Sequence, residues 1–276
     1  MMNNRFRFFV ILIFSFILPN FLISYDRIIT LSPALTEMVF KLGAGDKVVG
    51  VSSYCEYPPE VKNITKVGSF MTINYELILS LKPDLIIDYK ENIRTQRFAK
   101  KNNIQIIRLK HKSLKDIYNS ILLIGKRLNK EKKGNELVSY IKKRLSTVSR
   151  KIRKRKKILI IISRQPGTFK NMYILGTHDY LNTIVKLSGG DNVYKGKISY
   201  PQVSEEIFYT NTPDIIVELY PNKKINGKLL LKDWERFKDR KFYKNIYIIK
   251  KNYPVIPGPR IYKTAELFYG IINNSK

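Results

Sequence analysis

The sequence contains few of the residues that carry metal and thiol chemistry. Its 276 residues include one cysteine, Cys55, and two histidines, His111 and His178. A single cysteine can form neither an intrachain disulfide nor a cysteine-based zinc or iron–sulfur cage, and two histidines are too few for a multi-histidine metal enzyme. No Gly-x-Ser-x-Gly motif is present, which excludes a serine hydrolase of that type. We therefore expect no catalytic residues and no resident metal site.

Acidic residues are the second shortage. The chain has 22 Asp+Glu against 51 Lys+Arg, a formal net charge of +29. Such a balance ordinarily indicates a nucleic-acid partner, and residues 150–157 contain seven basic side chains in eight positions. No RNA-binding motif or recognition helix accompanies this cluster. We interpret it as a solvated helix end and linker, with attraction to an anionic membrane surface as the alternative.

The N-terminal residues 1–24 have the pattern of a secretory signal peptide. Arg5 and Arg7 precede an eleven-residue run, 8–18, which is apolar except for Ser15 and ends before Pro19. This run is too short to cross ~30 Å of hydrocarbon as a helix. The sequence thus predicts export to a periplasm, where a nucleic-acid partner is not expected. Because residues 22–25 lack a small-x-small cleavage pattern, an uncleaved membrane anchor is the alternative.

Beyond the signal, short β-branched runs alternate with helical patterns, which is typical of βαβ units and a parallel sheet. From Leu137 to Ile152 apolar residues recur at spacings of 4, 4, 3 and 4, which predicts one amphipathic helix about 30 Å long. We predict an α/β protein with an N-terminal lobe at 26–129, a linking backbone helix at 130–155 and a C-terminal lobe at 156–276. Both lobes are expected to be Rossmann-like with parallel sheets, and a ligand cleft is expected between them.

An internal repeat supports two related lobes. Residues 73–87 align with 203–217 at a constant offset of 130, and Glu76 and Glu206 are identical positions of this repeat. Each glutamate is predicted two residues after a helix N-cap, Asn74 in one lobe and Ser204 in the other. A carboxylate at such a place is favoured by the helix dipole. The shared position also suggests matching acidic contacts for a partner, one on each lobe.

Aromatic residues occupy the loops that are expected to face the cleft. Ligands of open α/β sheets bind beyond the carboxyl ends of the strands, where these loops lie. Aromatic walls suit a large, flat and partly apolar ligand, since each ring buries much surface and loses little rotamer entropy. The predicted ligand-binding residues are Tyr54, Phe70, Tyr89, Tyr200 and Tyr253.

Six segments of the sequence resemble one family of transport proteins. They are RIITLSPALTE at 27–37, VGVSSYCEYPP at 49–59, LKPDLII at 81–87, GGDNV at 189–193, YPQVSEE at 200–206 and PRI at 259–261. With these segments the chain resembles the class III (helical-backbone) substrate-binding proteins of ABC importers, which serve vitamin B12, iron-siderophore and haem uptake. The cobalamin-binding branch is the most similar. Asn252 and Ile256 depart from it, standing where B12 binders can offer charged residues.

The resemblance implies a non-enzymatic monomer without a cofactor. It would hold a metal-chelate ligand, cobalamin or a related corrinoid, between its lobes and deliver it to an ABC permease dimer with its ATPase subunits. Glu76 and Glu206 match the two glutamates with which the family engages arginines of the permease. Aromatic residues surround the corrin in the cobalamin branch at the positions of Tyr54, Phe70, Tyr89 and Tyr200.

Two other functions stay open at this stage. A ferric-siderophore or haem receptor of the same class would use a basic cleft containing Arg164 or Lys170 to attract an anionic chelate, and a tyrosine to bind haem iron. A basic exported adhesion or nucleic-acid-binding module would belong to a different class of protein.

Overall fold

Two β-sheets, one in each half of the chain, organise the fold. The structure is a computed structural model that describes residues 24–221 and 227–275. The predicted signal peptide, apart from Ser24, therefore lies outside the described residues.

The first sheet is parallel throughout, with strand order β3-β2-β1-β4-β5. Its central strands are apolar runs buried on both faces, as expected where helices cover a parallel sheet on each side. Ser113 begins the last helix of this lobe with a capping box, in which its side chain and that of Asp116 each accept a backbone N–H at 3.1 Å. The strands are β1 Ile28–Thr30, β2 Val48–Val51, β3 Thr65–Lys66, β4 Leu85–Tyr89 and β5 Gln105–Leu109, and the helices are α1 Pro33–Lys41, α2 Tyr75–Ser80, α3 Ile93–Lys101 and α4 Leu114–Arg127.

The second sheet is mixed, which differs from the predicted parallel sheet. Its strands are β6 Lys156–Ser163, β7 Met172–Ile174, β8 Gly190–Asn192, β9 Gln202–Val203, β10 Ile215–Leu219 and β11 Ile246–Ile249, in the order β11-β10-β6-β7-β9 with β8 beside β6. Strand β7 runs antiparallel to both β6 and β9. The segment 164–171 joins β6 to β7 without a helix, and so short a connection permits only an antiparallel neighbour. The helices of this lobe are α6 Tyr180–Leu187, α7 Ile207–Thr210, α8 Gly227–Asp233 and α9 Ile261–Asn274.

A single helix, α5 Glu131–Ser149, links the two lobes. It has 19 residues, which corresponds to a length of about 28 Å. It lies within the predicted range 130–155 but ends at Ser149, so Ile152 is not helical. Strand β6 begins at Lys156, whose N–H donates to the carbonyl of Gly189 at 3.2 Å. Residues 150–155, five of which are basic, form the short connection between helix and strand.

The buried face of α5 belongs to a hydrophobic core that is continuous between the lobes. It contributes Val138, Ile141, Leu145 and Val148, and the same cluster includes Ile121 of α4 and Phe268 of α9. Each sheet also has one smaller hydrophobic cluster, on the face that is turned away from the shared core. Because α5 and α9 are both packed into the shared core, the lobes are held side by side, and their loops meet at the carboxyl ends of the strands.

Candidate functional site

A cavity of about 550 Å³ lies between the two lobes. This volume is in the range of small-molecule binding sites. Residues of the N-terminal lobe form one wall and the 252–257 segment after β11 forms much of the other. The lining residues are Ser32, Pro33, Ala34, Ser53, Tyr54, Glu56, Pro221, Asn252, Val255, Ile256 and Pro257.

The cavity combines an apolar surface with a few polar groups. Val255, Ile256 and the proline rings supply apolar area, while Glu56 and Asn252 meet across the gap. The side-chain amide of Asn252 donates to Oε2 of Glu56 at 3.1 Å. A largely apolar wall with a few fixed polar groups is the usual composition of an organic-ligand site. Asn252 and Ile256, the two departures from the cobalamin branch, are thus both at the cavity.

Of the five predicted aromatic residues, Tyr54 lines this cavity. Its side chain is 71% exposed, so its ring is available to a ligand. Tyr253 begins the turn Tyr253–Val255, whose last residue also lines the cavity, and its ring lies 5.6 Å from the Arg260 guanidinium. Phe70 is 59% exposed at the tip of the loop after β3, outside the cavity lining.

Tyr89 and Tyr200 lie in a second group of side chains at the lobe interface. The Tyr89 ring contacts the His111 ring with centroids 4.2 Å apart and the ring planes tilted by 42°, and the Tyr200 hydroxyl donates to Oδ2 of Asp179 at 2.7 Å. The charge of Asp179, in the C-terminal lobe, also acts on His111 in the N-terminal lobe. The Ser32 hydroxyl connects this group to the cavity, because it donates to the Tyr89 hydroxyl at 3.5 Å.

His111 and Asp179 of this group were not predicted as site residues. Burial lowers the pKa of His111, and among the residues that the structure describes its buried Nδ1 has no hydrogen-bond partner. Burial also raises the pKa of Asp179. The position of His111, two residues after β5, was the available signal in the sequence, since cleft residues follow strand ends.

An ion pair joins the lobes beside the cavity. Arg260, at the start of α9, donates from Nε and a terminal nitrogen to the carboxylate of Glu37 in α1, at 2.8 and 2.6 Å. The Glu37 side chain is 1% exposed and that of Arg260 is 11% exposed. The Arg260 guanidinium also lies 4.3 Å from the ring centre of Tyr57. This arrangement fixes α1 of one lobe against the 253–260 segment of the other.

Arg164 does not contribute to a basic cleft, contrary to the expectation for a siderophore or haem receptor. Its side chain is fully buried and forms ion pairs with Glu218 at 3.0 Å and Asp233 at 2.6 Å. Its guanidinium lies 4.5 Å from the ring centre of Phe169. A buried cation requires such partners because desolvation is costly. The charge of Arg164 is therefore neutralised inside the C-terminal lobe. Lys170, by contrast, is exposed at the surface of this lobe.

The repeated glutamates, Glu76 and Glu206, are both exposed. Glu76 is the second residue of α2, two positions after its cap Asn74, as predicted. Glu206 differs from the prediction, because it is itself the residue that precedes α7, and Ser204 provides no side-chain cap. Within the described part of the chain, neither carboxylate has an ion-pair or hydrogen-bond partner. By contrast, the neighbouring Glu205 pairs with Arg236.

Two further features bear on the class of the protein. Within residues 24–221 and 227–275, no three His, Cys, Asp or Glu side chains come together as a metal-ion site. None of the helices in these ranges is long and apolar enough to cross a membrane.

A family model described as "Periplasmic binding protein" matches residues 28–250. The chain belongs to this family, and with its two lobes and one linking helix it is a class III substrate-binding protein that works with ABC permease and ATPase components. The prediction that it is not an enzyme is confirmed, because the family and its relatives are binding proteins for transporters. A protein of this class carries a transported ligand and no cofactor.

Relatives of known sequence support the same class. The vitamin B12-binding protein of Vibrio cholerae serotype O1 is 30% identical over 211 residues, covering 74% of this chain and 75% of that protein. An uncharacterized ABC transporter substrate-binding lipoprotein of Bacillus subtilis, YvrC, is 28% identical over 252 residues, covering 87% of this chain and 77% of that protein.

Solved structures confirm the fold. The periplasmic vitamin B12 binding protein BtuF of Vibrio cholerae superposes with a TM-score of 0.75 at 24% identity, covering 91% of this chain and 98% of that one. The periplasmic heme binding protein HutB of the same organism gives a TM-score of 0.78 at 20% identity, covering 89% and 98% of the two chains. Corrinoid and haem carriers thus share this architecture, and the fold alone does not distinguish their ligands.

Proposed function

We propose that this protein captures cobalamin or a related corrinoid in the cavity between its lobes, in the periplasm, and delivers it to an ABC permease dimer. The apolar cavity beside Tyr54 is the observation that carries the proposal. A corrin is a large ring with apolar edges and polar amide substituents, and such a ligand matches apolar walls that contain Glu56 and Asn252. Relatives that are named vitamin B12-binding proteins support the same ligand.

The other four predicted aromatic residues differ in how near they lie to the cavity. Tyr253 follows Asn252, which lines the cavity, and the hydroxyl of Ser32, another lining residue, donates to the hydroxyl of Tyr89. Phe70 and Tyr200 are exposed on the two lobes at equivalent positions of the repeat. We propose that these two rings cover the outer edge of a ligand that is larger than the cavity. Export through the segment 1–24 would place the protein in the periplasm.

Haem is the second candidate, and His111 is the observation that favours it. A histidine nitrogen that has no hydrogen-bond partner among the described residues, as Nδ1 of His111 has none, can bind iron, and the ring of Tyr89 lies tilted against the same imidazole. A haem bound there would place its iron on the His111–Tyr89 side of the interface. An anionic siderophore is less favoured, because Arg164, one of the two cations expected to attract it, is buried. The family assignment does not support the other alternative, an adhesion or nucleic-acid-binding module.

The ligand is tested by titrating the purified chain separately with cyanocobalamin and with hemin. We expect submicromolar affinity for cyanocobalamin, which corresponds to about −8 kcal/mol or better. A new Soret band on hemin addition, lost in His111→Ala, would identify haem instead. Saturable binding of neither compound would contradict both proposed ligands.

Tyr54→Ala supplies the site-specific part of the same titration. Removing an aromatic wall is expected to weaken binding of the preferred ligand about tenfold, a loss of ~1.4 kcal/mol. Tyr173→Ala is a matched control, since Tyr173 is also an exposed tyrosine but lies outside the cavity lining. Equal affinities of the two variants would contradict the assignment of Tyr54 to the site.

A further inference from the structure

The linking helix α5 and its two connections carry a large excess of positive charge. Residues 126–157 run from the end of α4 through α5 to the start of β6, and they contain 15 Lys and Arg against two glutamates. We call residues 126–157 the basic strip. It has a formal charge of +13, almost half of the net charge of +29, although it comprises only 32 of the 276 residues. The positive charge of the chain is therefore concentrated in one segment.

The side of α5 that is turned away from the core is mainly basic. The buried residues of α5 recur at helical spacing along one side. On the opposite side lie Lys132, Lys143 and Arg150, which are separated by about three and about two helical turns. All three side chains are exposed, and the exposed Glu136 shares this side with them. Because α5 is about 28 Å long, these cations form a row along an extended surface.

The cations of the basic strip are accessible and are not neutralised by nearby acids. Thirteen of the 15 are exposed, and the other two, Lys130 and Lys156, are half-buried. Among the residues that the structure describes, Arg144 is the only one of the 15 with an ion-pair partner, Glu266 of α9. Like charges this close together repel one another and oppose the compact fold. An extended anionic surface would relieve this repulsion, so the strip is complementary in charge to such a surface.

A second cavity, of about 290 Å³, lies at the end of the strip where α5 is joined to β6. The ammonium group of Lys156 is held beside it, since Nζ donates to the hydroxyl of Ser275 at 2.7 Å. Three basic and three apolar residues are among those that line this cavity: Arg153, Lys154, Lys156, Ile152, Tyr269 and Ile272. Cationic donors recognise phosphate oxygens, and apolar side chains beside them suit the carbon backbone to which a lipid phosphate is attached.

We propose that the basic strip binds the anionic headgroups of a phospholipid membrane, with one headgroup phosphate in the cavity beside Lys156. Each Lys or Arg close to an anionic membrane strengthens binding about fivefold, and the row along α5 can contact several headgroups at once. The predicted export of the chain brings the strip to a membrane surface, whereas a nucleic acid, which the same charges would attract, is not expected there. Residues 126–157, all of which the structure describes, do not line the cavity between the lobes. Membrane binding therefore leaves the ligand site open, whichever ligand it holds.

The test measures binding of the full chain to phosphatidylcholine vesicles with and without about one-third phosphatidylglycerol. Binding to pure phosphatidylcholine reports what the apolar run at 8–18 contributes. We expect about a hundredfold or greater preference for the anionic vesicles, and loss of this preference at ~0.5 M salt, which screens charges. A strip variant should reduce the preference to below about tenfold, because its five positions span α5 and the second cavity. This variant combines Lys143→Gln, Arg150→Gln, Lys151→Gln, Arg153→Gln and Lys154→Gln.

The matched control removes five exposed cations outside the strip and lowers the net charge equally: Lys62→Gln, Arg94→Gln, Arg97→Gln, Lys170→Gln and Lys238→Gln. Its preference for anionic vesicles should stay within about threefold of that of the unaltered chain, because charges far from the membrane are screened. An equal loss in both variants, or no preference in the unaltered chain, would overturn the proposal. Displacement of the protein from anionic vesicles by a DNA duplex at equal phosphate concentration would identify a nucleic-acid partner and overturn it too. Ligand affinity should be unchanged in the strip variant, so failure of this inference leaves the proposed function standing.

Discussion

Reversing both repeated charges, as Glu76→Lys and Glu206→Lys, is expected to abolish ligand transport and leave ligand affinity intact. Each carboxylate is exposed and has no partner in the described part of the chain, so neither substitution removes an internal contact. Against the basic permease surface that the family resemblance implies, each new lysine would replace an attraction by a repulsion, at a cost of several kcal/mol per site. Transport is measured in proteoliposomes that contain the permease–ATPase complex, and affinity is measured on the free protein.

Glu60→Lys with Glu235→Lys is the matched control for this experiment. One of these glutamates is in each lobe, both are exposed, and the change in net charge is the same. The control should transport at nearly the normal rate, because the effect depends on position. Equal loss in both double variants would mean that overall charge decides the result. Weakened ligand binding in the Glu76/Glu206 variant would contradict the docking role.

Arg260→Met is expected to lower the free energy of unfolding by about 3–5 kcal/mol. The substitution leaves the buried carboxylate of Glu37 without its partner, and an uncompensated buried charge is strongly destabilising. Burial raises the pKa of Glu37 and Arg260 opposes that rise, so the pKa of Glu37 should rise further in the variant. A folded-state pKa above the unfolded value favours the folded state as pH falls. The loss of unfolding free energy in Arg260→Met, relative to the unaltered chain, should therefore be smaller at pH 5 than at pH 8.

Two variants separate the ion pair from a general effect of the substitution. Glu37→Met with Arg260→Met should cost less than the sum of the single changes, since no unpaired charge remains. Arg144→Met breaks the pair with Glu266, which is exposed and joins α5 to α9, and should cost less than ~1 kcal/mol. Urea unfolding is measured for five proteins: the unaltered chain, Glu37→Met, Arg260→Met, the double variant and Arg144→Met. If Arg260→Met cost no more than Arg144→Met, the ion pair would not be a tether between the lobes.

Most of the regular elements could be predicted from the sequence because their patterns are local. Strand Ile28–Thr30, the Pro33 start of α1 and the buried face of α5 follow from β-branched runs, an N-terminal proline and a helical period. Strand β7 could not be predicted in this way. Met172–Ile174 is three residues long, and it exists because it pairs with β6 and β9. Its antiparallel direction follows from a connection that has no periodic pattern.

The candidate site was predictable where the repeat or a strand end marked a residue. Tyr54 and the paired glutamates had such signals. The partners that decide what a side chain can do were not visible in the sequence. Arg164 follows a strand and suggested a basic cleft, but its charge is satisfied by Glu218 and Asp233, the latter 69 positions away. The surroundings of His111 were hidden in the same way, because the ring of Tyr89 and the carboxylate of Asp179 in the other lobe are both long-range neighbours.

The most direct test of the central claim is to fill the cavity and measure ligand affinity. Ser53 is exposed and lines the cavity, so Ser53→Trp should occupy it without disturbing a core. Ser146→Trp, on the exposed side of α5, is the control. With whichever of cyanocobalamin and hemin the unaltered chain binds, we predict a loss of about a hundredfold or more for Ser53→Trp, equivalent to ~2.7 kcal/mol, and no change for Ser146→Trp. Unchanged affinity of Ser53→Trp would contradict a ligand held between the lobes.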